Sequence, residues 1–283
     1  MDYSRSPNRS LAGVISDRYA DSLDAIVVIG DVTQDVDNFC RQTKERDGYP
    51  VLEIERTESR WGCAQAVAQM AEGLGARAYA VCDVGRCSAK RRIILDNRVV
   101  CRIDNDRQAF PIRHLRPAAV VLIADYAKGA IDEETMRLIG EKYAGKEIIA
   151  DWHPSRPLDF YRCATAIKAS WDAPFDDRRD DRPFIRTMGR NGMMLKLIGG
   201  LSFWPAQNAS PLDCCGAGDM VLAALGVGRL RGYSWYQCCE LASETAAVVC
   251  SNWGSVYEPI GSGGGVLRPD SSGAHSAPAG SQG

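Results

Sequence analysis

Short apolar, β-rich runs alternate along the chain with stretches whose apolar side chains return every three or four positions. This alternation predicts a mainly parallel sheet covered by helices. The segments AIVVIGD (25–31), ARAYAVCDVG (76–85), AAVVLIADY (118–126), EIIADWH (147–153) and FIRTMG (184–189) read as core strands. In CAQAVAQMAEGLGA, the residues Ala64, Val67, Ala68, Ala71 and Leu74 follow helical spacing, with Gly75 as the stop. Glu133 to Tyr143 and Ser234 to Cys250 read as further helices. RRIILDNRVVCRID (91–104) predicts a hairpin turning at Asp96-Asn97, and MMLKLIGGLSFWPAQ (193–207) another turning at Gly199-Gly200. FDDRRDDRP (175–183) reads as a solvated charged loop. From Gly261 onward the chain holds too few apolar groups to offset the entropy of ordering, so 261–283 is expected to be a disordered tail. No internal repeat is visible. The expected organisation is a flexible extension over 1–15, one domain over 16–260, and the tail.

Composition narrows the function classes. The 283 residues are 45% hydrophobic and 25% charged, ordinary for a globular chain able to bury a sizeable core. A formal net charge of −2 gives no global positive field, so neither nucleic acid nor an anionic membrane is an expected partner. No run approaches the roughly 18 apolar residues of a membrane span, and the start lacks the apolar core of a signal peptide, so the expected address is the cytoplasm. The 11 cysteines form no C-x-x-C pair and have no histidine at ligand spacing, which argues against zinc. Most read as small buried hydrophobes in a reducing compartment.

PLDCCGAGDMVLAALG (211–226) carries the chemistry most directly. Val221, Leu222, Leu225 and Leu230 give an amphipathic pattern, so Gly216-Ala217-Gly218 falls where a loop opens into a helix and exposes its first N–H groups. Such a place attracts anions, because glycine lets the backbone approach closely and the helix dipole favours negative charge. Asp219 in that first turn is either a reactive carboxylate beside the anion or a group that caps the helix itself.

DCCGAGD resembles the D-x-T-G-A-G-D signature of the ribokinase/PfkB-type carbohydrate kinases, and the likeness extends along the chain. VVIGDVTQDVDNF is similar to the G-D-V-M-L-D opening of the heptose-7-phosphate kinase domain of ADP-heptose biosynthesis. In the same order follow ERTESRWGCAQAVAQMAEGLGA for its E-R-P-G-G-A-A-N-V-A segment, RRIILDNRVVCRID for its R-x-x-x-x-N-Q-Q-L-L-R-x-D hairpin, IADYAKGAI for S-D-Y-G-K-G, and TMGRNGM for T-R-G-x-x-G-M. The resemblance covers about residues 16 to 260. It implies a ribokinase-like α/β fold with a small β lid, built here from about 49–59 and 91–104, through which relatives often form homodimers.

The resemblance also implies roles. ATP with Mg²⁺ would phosphorylate a sugar or sugar phosphate, a heptose-7-phosphate-like acceptor, with Asp219 as general base and Gly216, Ala217 and Gly218 as the anion hole. Asp31, Asp35, Gly62 and Cys63 would face the acceptor sugar, and Lys128 its phosphate. For Arg92 and Arg102, phosphate contact and a cross-strand ion pair with Asp104 are both open. Thr187, Gly189, Gly192, Ser170 and Ser243 would line the nucleotide side, and no metal ligand is assigned.

Departures from the family pattern set the alternative, a kinase-fold protein that has lost phosphoryl transfer and binds a ligand or partner. The second glycine of the sugar segment is Cys63 and its asparagine is Ala66; the anion-loop threonine is Cys215. T-P-N-x-x-E aligns with KASWDA, which puts Ser170 for the asparagine and Ala173 for a glutamate of the Mg²⁺ water shell. Cys214 and Cys215, thiols at a helix N-terminus, are expected to be sensitive to oxidation through a lowered pKa.

Overall fold

The computed structural model describes residues 24–174, 181–207 and 211–252. The expectations for 1–15, for most of the charged loop and for 261–283 lie outside them. In chain order the elements are β1 (Ile26–Gly30), β2 (Val32–Arg46), β3 (Tyr49–Cys63), α1 (Ala64–Gly73), β4 (Ala78–Val81), β5 (Ser88–Leu95) and β6 (Arg98–Asn105). Then come β7 (Val120–Ala124), α2 (Glu133–Lys142), β8 (Glu147–Trp152), β9 (Ala166–Ala169), β10 (Phe184–Thr187), β11 (Met193–Leu197), β12 (Gly200–Trp204), α3 (Ala217–Leu230) and α4 (Trp235–Cys250).

Two sheets result. The main one runs β12-β11-β10-β9-β8-β7-β1-β4, and the second β3-β2-β5-β6. From β4 to β10 the main sheet is parallel, while β11 and β12 add antiparallel strands at one edge. This is the expected mainly parallel α/β architecture with an accessory sheet. Alternation along the central strands explains the layering: Ile26 and Val28 of β1 and Val120 and Leu122 of β7 face α1, α3 and α4. Val27, Ile29, Val121 and Ile123 face the other side, where α2 supplies Met136 and Ile139. Strands buried on both faces read as continuous apolar runs, which is why these were visible in the sequence.

Three details differ from expectation. β2 was not anticipated, because its outer half, Arg41 to Arg46, is exposed and leaves no burial rhythm to read. β9 was missed because it is four residues long and carries Lys168 in its centre. The second hairpin turns one residue earlier than expected: Gly200 pairs with Leu197, and Ile198-Gly199 form the turn, with Gly199 at φ 95°. The first hairpin turns at Asp96-Asn97 as expected, both at positive φ (50° and 58°), the geometry of a tight two-residue turn.

The chain crosses from β1 straight into β2 through Asp31, so the two sheets meet at the carboxyl end of β1. Among the described residues, no helix is long and apolar enough to cross a membrane.

Candidate active site

In open parallel sheets, ligands settle beyond the carboxyl ends of the strands. Here those ends carry Asp31, Tyr126, Asp151, Ser170 and Thr187, and α3 begins beside them. Gly216 caps α3 in the left-handed conformation (φ 81°), which glycine adopts without a steric cost. The loop before it is tied down: Cys215 N–H donates to Asp213 Oδ1 at 3.0 Å and Ala217 N–H to the Cys214 carbonyl at 3.2 Å. Among the described residues, the N–H groups of Gly216, Gly218 and Asp219 meet no acceptor. They form the cluster of donors that a helix start offers to an anion.

Asp219 lies in that first turn and accepts a hydrogen bond from the Tyr126 hydroxyl. Enclosure by protein raises its pKa to about 6; the Tyr126 hydrogen bond and the charges of Lys168 and Lys90 hold it down, while Asp151 pushes it further up. Burial, with Asp219 alongside, pushes Tyr126 well above the ordinary tyrosine range, so its hydroxyl keeps the proton it donates. Lys90, from β5 of the second sheet, places its ammonium 5.6 Å from the Tyr126 ring centre. Burial opposes the charge of Lys90, but Cys63, Asp35 and Asp219 outweigh it and move its pKa up. Lys168, from β9, is buried and pairs with Asp151 at 2.7 Å. Asp219 therefore sits between one cation from each sheet.

The sugar-side residues divide. Asp35 lies in β2 beside Thr33, whose hydroxyl donates to it at 3.0 Å, and opposite Lys90 in register. Gly62 packs against both: a Cβ there would lie 2.3 Å from Thr33 Oγ1 and 2.8 Å from Asp35 Oδ2. Cys63 caps α1 with φ 58° and ψ −130°, a backbone shape ordinarily left to glycine. The close backbone geometry thus persists although the side chain is no longer glycine. Asp31 differs from expectation. It is fully buried, and its carboxylate accepts from the backbone N–H groups of Tyr126 (2.9 Å), Lys128 (3.1 Å) and Ala130 (3.0 Å). Its carboxylate shapes the loop after β7.

Neither hairpin arginine follows the expected pairing alone. Arg102 does pair with Asp104, through two bonds of 2.8 Å, but along its own strand. Arg92 instead grips the buried Asp37 at 2.6 and 2.7 Å and reaches Asp213 at 2.8 Å, while Arg60 joins Asp37 from β3. Burial works against the Asp37 carboxylate, but the hydrogen bonds from Arg92 and Arg60 prevail and hold its pKa below the usual range. Arg92 thereby ties the second sheet to the anion loop. Lys128 pairs with Asp106 at 2.5 Å.

On the nucleotide side, Thr187 donates to the Ala169 carbonyl at 3.3 Å, joining the ends of β10 and β9. Gly189 opens a 3₁₀ turn that ends at Gly192. A Cβ at Gly192 would come within 2.0 Å of the Trp204 carbonyl oxygen, so only glycine fits. The Ser170 hydroxyl donates to Asp172. Ser243 is half-buried on α4, which packs along α3. Ala173 is buried, and among the described residues no group of three or more His, Cys, Asp or Glu is placed to hold a metal.

The cysteine expectation needs correction at the loop itself. Burial raises the Cys215 pKa; the Arg92 charge opposes this, but Asp35, Asp213 and Asp219 add to it, so the expected lowering is not found at Cys215. Of the rest, Cys40, Cys63, Cys238 and Cys239 are buried, and Cys101 and Cys214 are exposed. Tyr126, Lys90, Lys168 and Asp37 were not singled out from the sequence. A lysine inside an apolar strand was the one available signal, in TAIKAS.

The fold matches ribokinase-like kinases. Arabidopsis thaliana ribokinase, solved with ribose and ATP, superposes with a TM-score of 0.63 at 14% identity, covering 82% of this chain and 94% of that one. A nucleoside kinase of the ribokinase family from Methanocaldococcus jannaschii gives 0.62 at 14% identity, covering 81% and 92%. The architecture is therefore that of the ribokinase-like kinases. Residues 175–259 match the pfkB family carbohydrate kinase pattern, and the bifunctional protein HldE of a Caulobacter species is 27% identical over 81% of this chain. HldE of Campylobacter jejuni is 24% identical over 82%. The chain spans 60% and 62% of the lengths of those two relatives. The chain is thus similar to the pfkB family carbohydrate kinases over residues 175–259, and to the HldE proteins at under 30% identity over a longer stretch.

Proposed function

We propose that the protein transfers the γ-phosphoryl group of ATP to a hydroxyl of a sugar or sugar phosphate, a heptose-7-phosphate-like acceptor. The observation that carries this is Asp219: a carboxylate with pKa about 6, set directly under the unpaired N–H groups that open α3. At neutral pH such a group is ionised yet basic enough to take a hydroxyl proton, a contribution of about 10²–10⁴ in rate. Gly216, Ala217 and Gly218 present backbone dipoles to the transferring phosphoryl group, where preorganised donors act without reorganisation. Asp35, Gly62 and Cys63 shape the sugar side. Lys128 and Arg102 hold half-exposed carboxylates, Asp106 and Asp104, that an acceptor phosphate can displace.

The loop fits a nucleotide phosphate, since its free donors and the neighbouring lysine all favour negative charge. Mg²⁺ fits through the phosphates of ATP, its usual ligands, with Asp172 the carboxylate at hand on the nucleotide side; it would neutralise phosphate charge there. The second sheet serves as a lid over the domain 16–260, and exposed Ile54, Val99, Val100 and Ile103 on it support a homodimer through that lid.

A second reading, a degenerate kinase that binds without transfer, is favoured by Ala173, which puts a buried methyl where the family carries a carboxylate. Incubation with Mg-ATP and a panel of sugars and sugar phosphates, beside Asp219→Asn, separates the two. Transfer by the wild type and its loss in the variant are expected. Transfer that survives the substitution sinks the assignment of the base, and nucleotide binding without transfer to any acceptor selects the second reading.

A further inference from the structure

Lys168 occupies the middle of a short apolar strand and is 4% exposed. Its ammonium has three donors. Asp151 Oδ2 accepts one at 2.7 Å, and among the described residues no second acceptor meets the others. Unmet donors on a buried cation are costly, so the position is explained only if something further accepts from it.

The direction in which it points identifies that something. A Cβ built on Gly218 would lie 3.3 Å from Lys168 Nζ, so the ammonium rests against the first turn of α3. Gly218 is also one of the residues whose N–H meets no acceptor. Ammonium and free N–H groups therefore converge on one spot beside Asp219. Ser170 follows directly on the last residue of β9, two positions beyond Lys168. Lys90 approaches Asp219 from the second sheet, opposite Asp35 in register. The two cations are thus not redundant.

We propose that Lys168 donates from Nζ to the transferring phosphoryl group of the nucleotide and is a catalytic residue of this protein. The inference rests on the ATP-dependent reading above. In the step, the acceptor hydroxyl gives its proton to Asp219 and its oxygen bonds to the γ-phosphorus. The bond from that phosphorus to the β,γ-bridging oxygen breaks, and ADP leaves with the electron pair. Lys168 takes no part in the proton transfer and supplies charge only. It stands where the family resemblance places an uncharged residue, and it brings a cation to a site that carries Ala173 for a glutamate and Cys215 for a threonine.

The test compares MgADP with the non-hydrolysable β,γ-imido analogue of MgATP, by calorimetry on the full chain, together with kcat on the acceptor found above. The variants are Lys168→Gln and the double Lys168→Gln/Asp151→Asn, in which no buried carboxylate is left without its cation. Expected are ADP affinity within about twofold of wild type and a loss of about tenfold or more for the imido analogue, since only the latter carries the γ-group. With these comes a fall of about 10²–10³ in kcat at unchanged acceptor KM. If both variants retain the wild-type preference between the nucleotides, or lose both nucleotides equally, Lys168 is a structural partner of Asp151 and the proposal is overturned, while the kinase reading stands. Wild-type protein that binds neither nucleotide overturns both.

Discussion

Tyr126→Phe tests how the base is tuned. The substitution removes the hydroxyl that donates to Asp219 but keeps the ring beneath Lys90, so it isolates one hydrogen bond. That bond favours the carboxylate form, and a hydrogen bond to a charged group is worth about 1.5–3 kcal/mol. At 1.36 kcal/mol per pKa unit, its loss moves Asp219 up by roughly 1–2 units. Because the ionised form is the base, activity rises with pH through this pKa and falls below it. The acid limb of kcat/KM should therefore stand at about 6 in the wild type and at roughly 7–8 in the variant. At pH 7 the ionised fraction drops from about nine-tenths to between about a half and a tenth, and activity returns towards the wild-type plateau near pH 9. The assay is kcat/KM against pH from 5 to 9 on the acceptor that the wild type phosphorylates. An acid limb that stays within about 0.3 unit of the wild type refutes the reasoning, whatever the absolute rate.

Two further outcomes follow from the geometry. Arg92→Met leaves Asp37 buried with Arg60 as its remaining named partner, and should lower unfolding free energy by about 3–5 kcal/mol in denaturant titrations; a loss under about 1 kcal/mol would show that the Arg92 link does not hold the second sheet. Lys128→Ala should raise KM for a phosphorylated acceptor with little change in kcat and leave unphosphorylated sugars unaffected, as steady-state kinetics on matched pairs of acceptors can show; an equal effect on both would remove Lys128 from phosphate recognition.

The parts of the fold legible in the sequence are those where burial writes a rhythm. Ile26 to Gly30 and Val120 to Ala124 are buried throughout, and the capping box at Ser234 and Gln237 marks the start of α4 as its sequence suggests. β2 was illegible because a strand of a thin second sheet has no core to face along its outer half. The site shows the same division. Gly216 to Asp219 announce themselves locally, since a glycine-rich loop and a carboxylate at a helix start are adjacent in sequence. Tyr126 and Lys90 reach Asp219 only through the topology, from residues 93 and 129 positions away, and no local pattern records that.

This division also explains how the chain can depart at several positions from the kinase pattern it resembles and still hold a coherent site. Functions borne by the backbone tolerate a changed side chain if the conformation survives. Cys63 adopts φ 58° where a glycine is expected, and Gly216 keeps its left-handed turn beside Cys215, so the sugar-side corner and the anion donors persist. Functions borne by side chains do not tolerate it, and Ala173 offers nothing to a water or a cation. A lost carboxylate near phosphate removes a means of placing positive charge. On the proposed role of Lys168, a buried lysine next to Ala169 and resting on Gly218 supplies positive charge directly. The compensation is not equivalent, because an ammonium fixed on β9 cannot follow the phosphates as a hydrated metal can. If Lys168 has that role, a narrow set of acceptor geometries is the expected consequence, and the panel of sugars and sugar phosphates reads it directly.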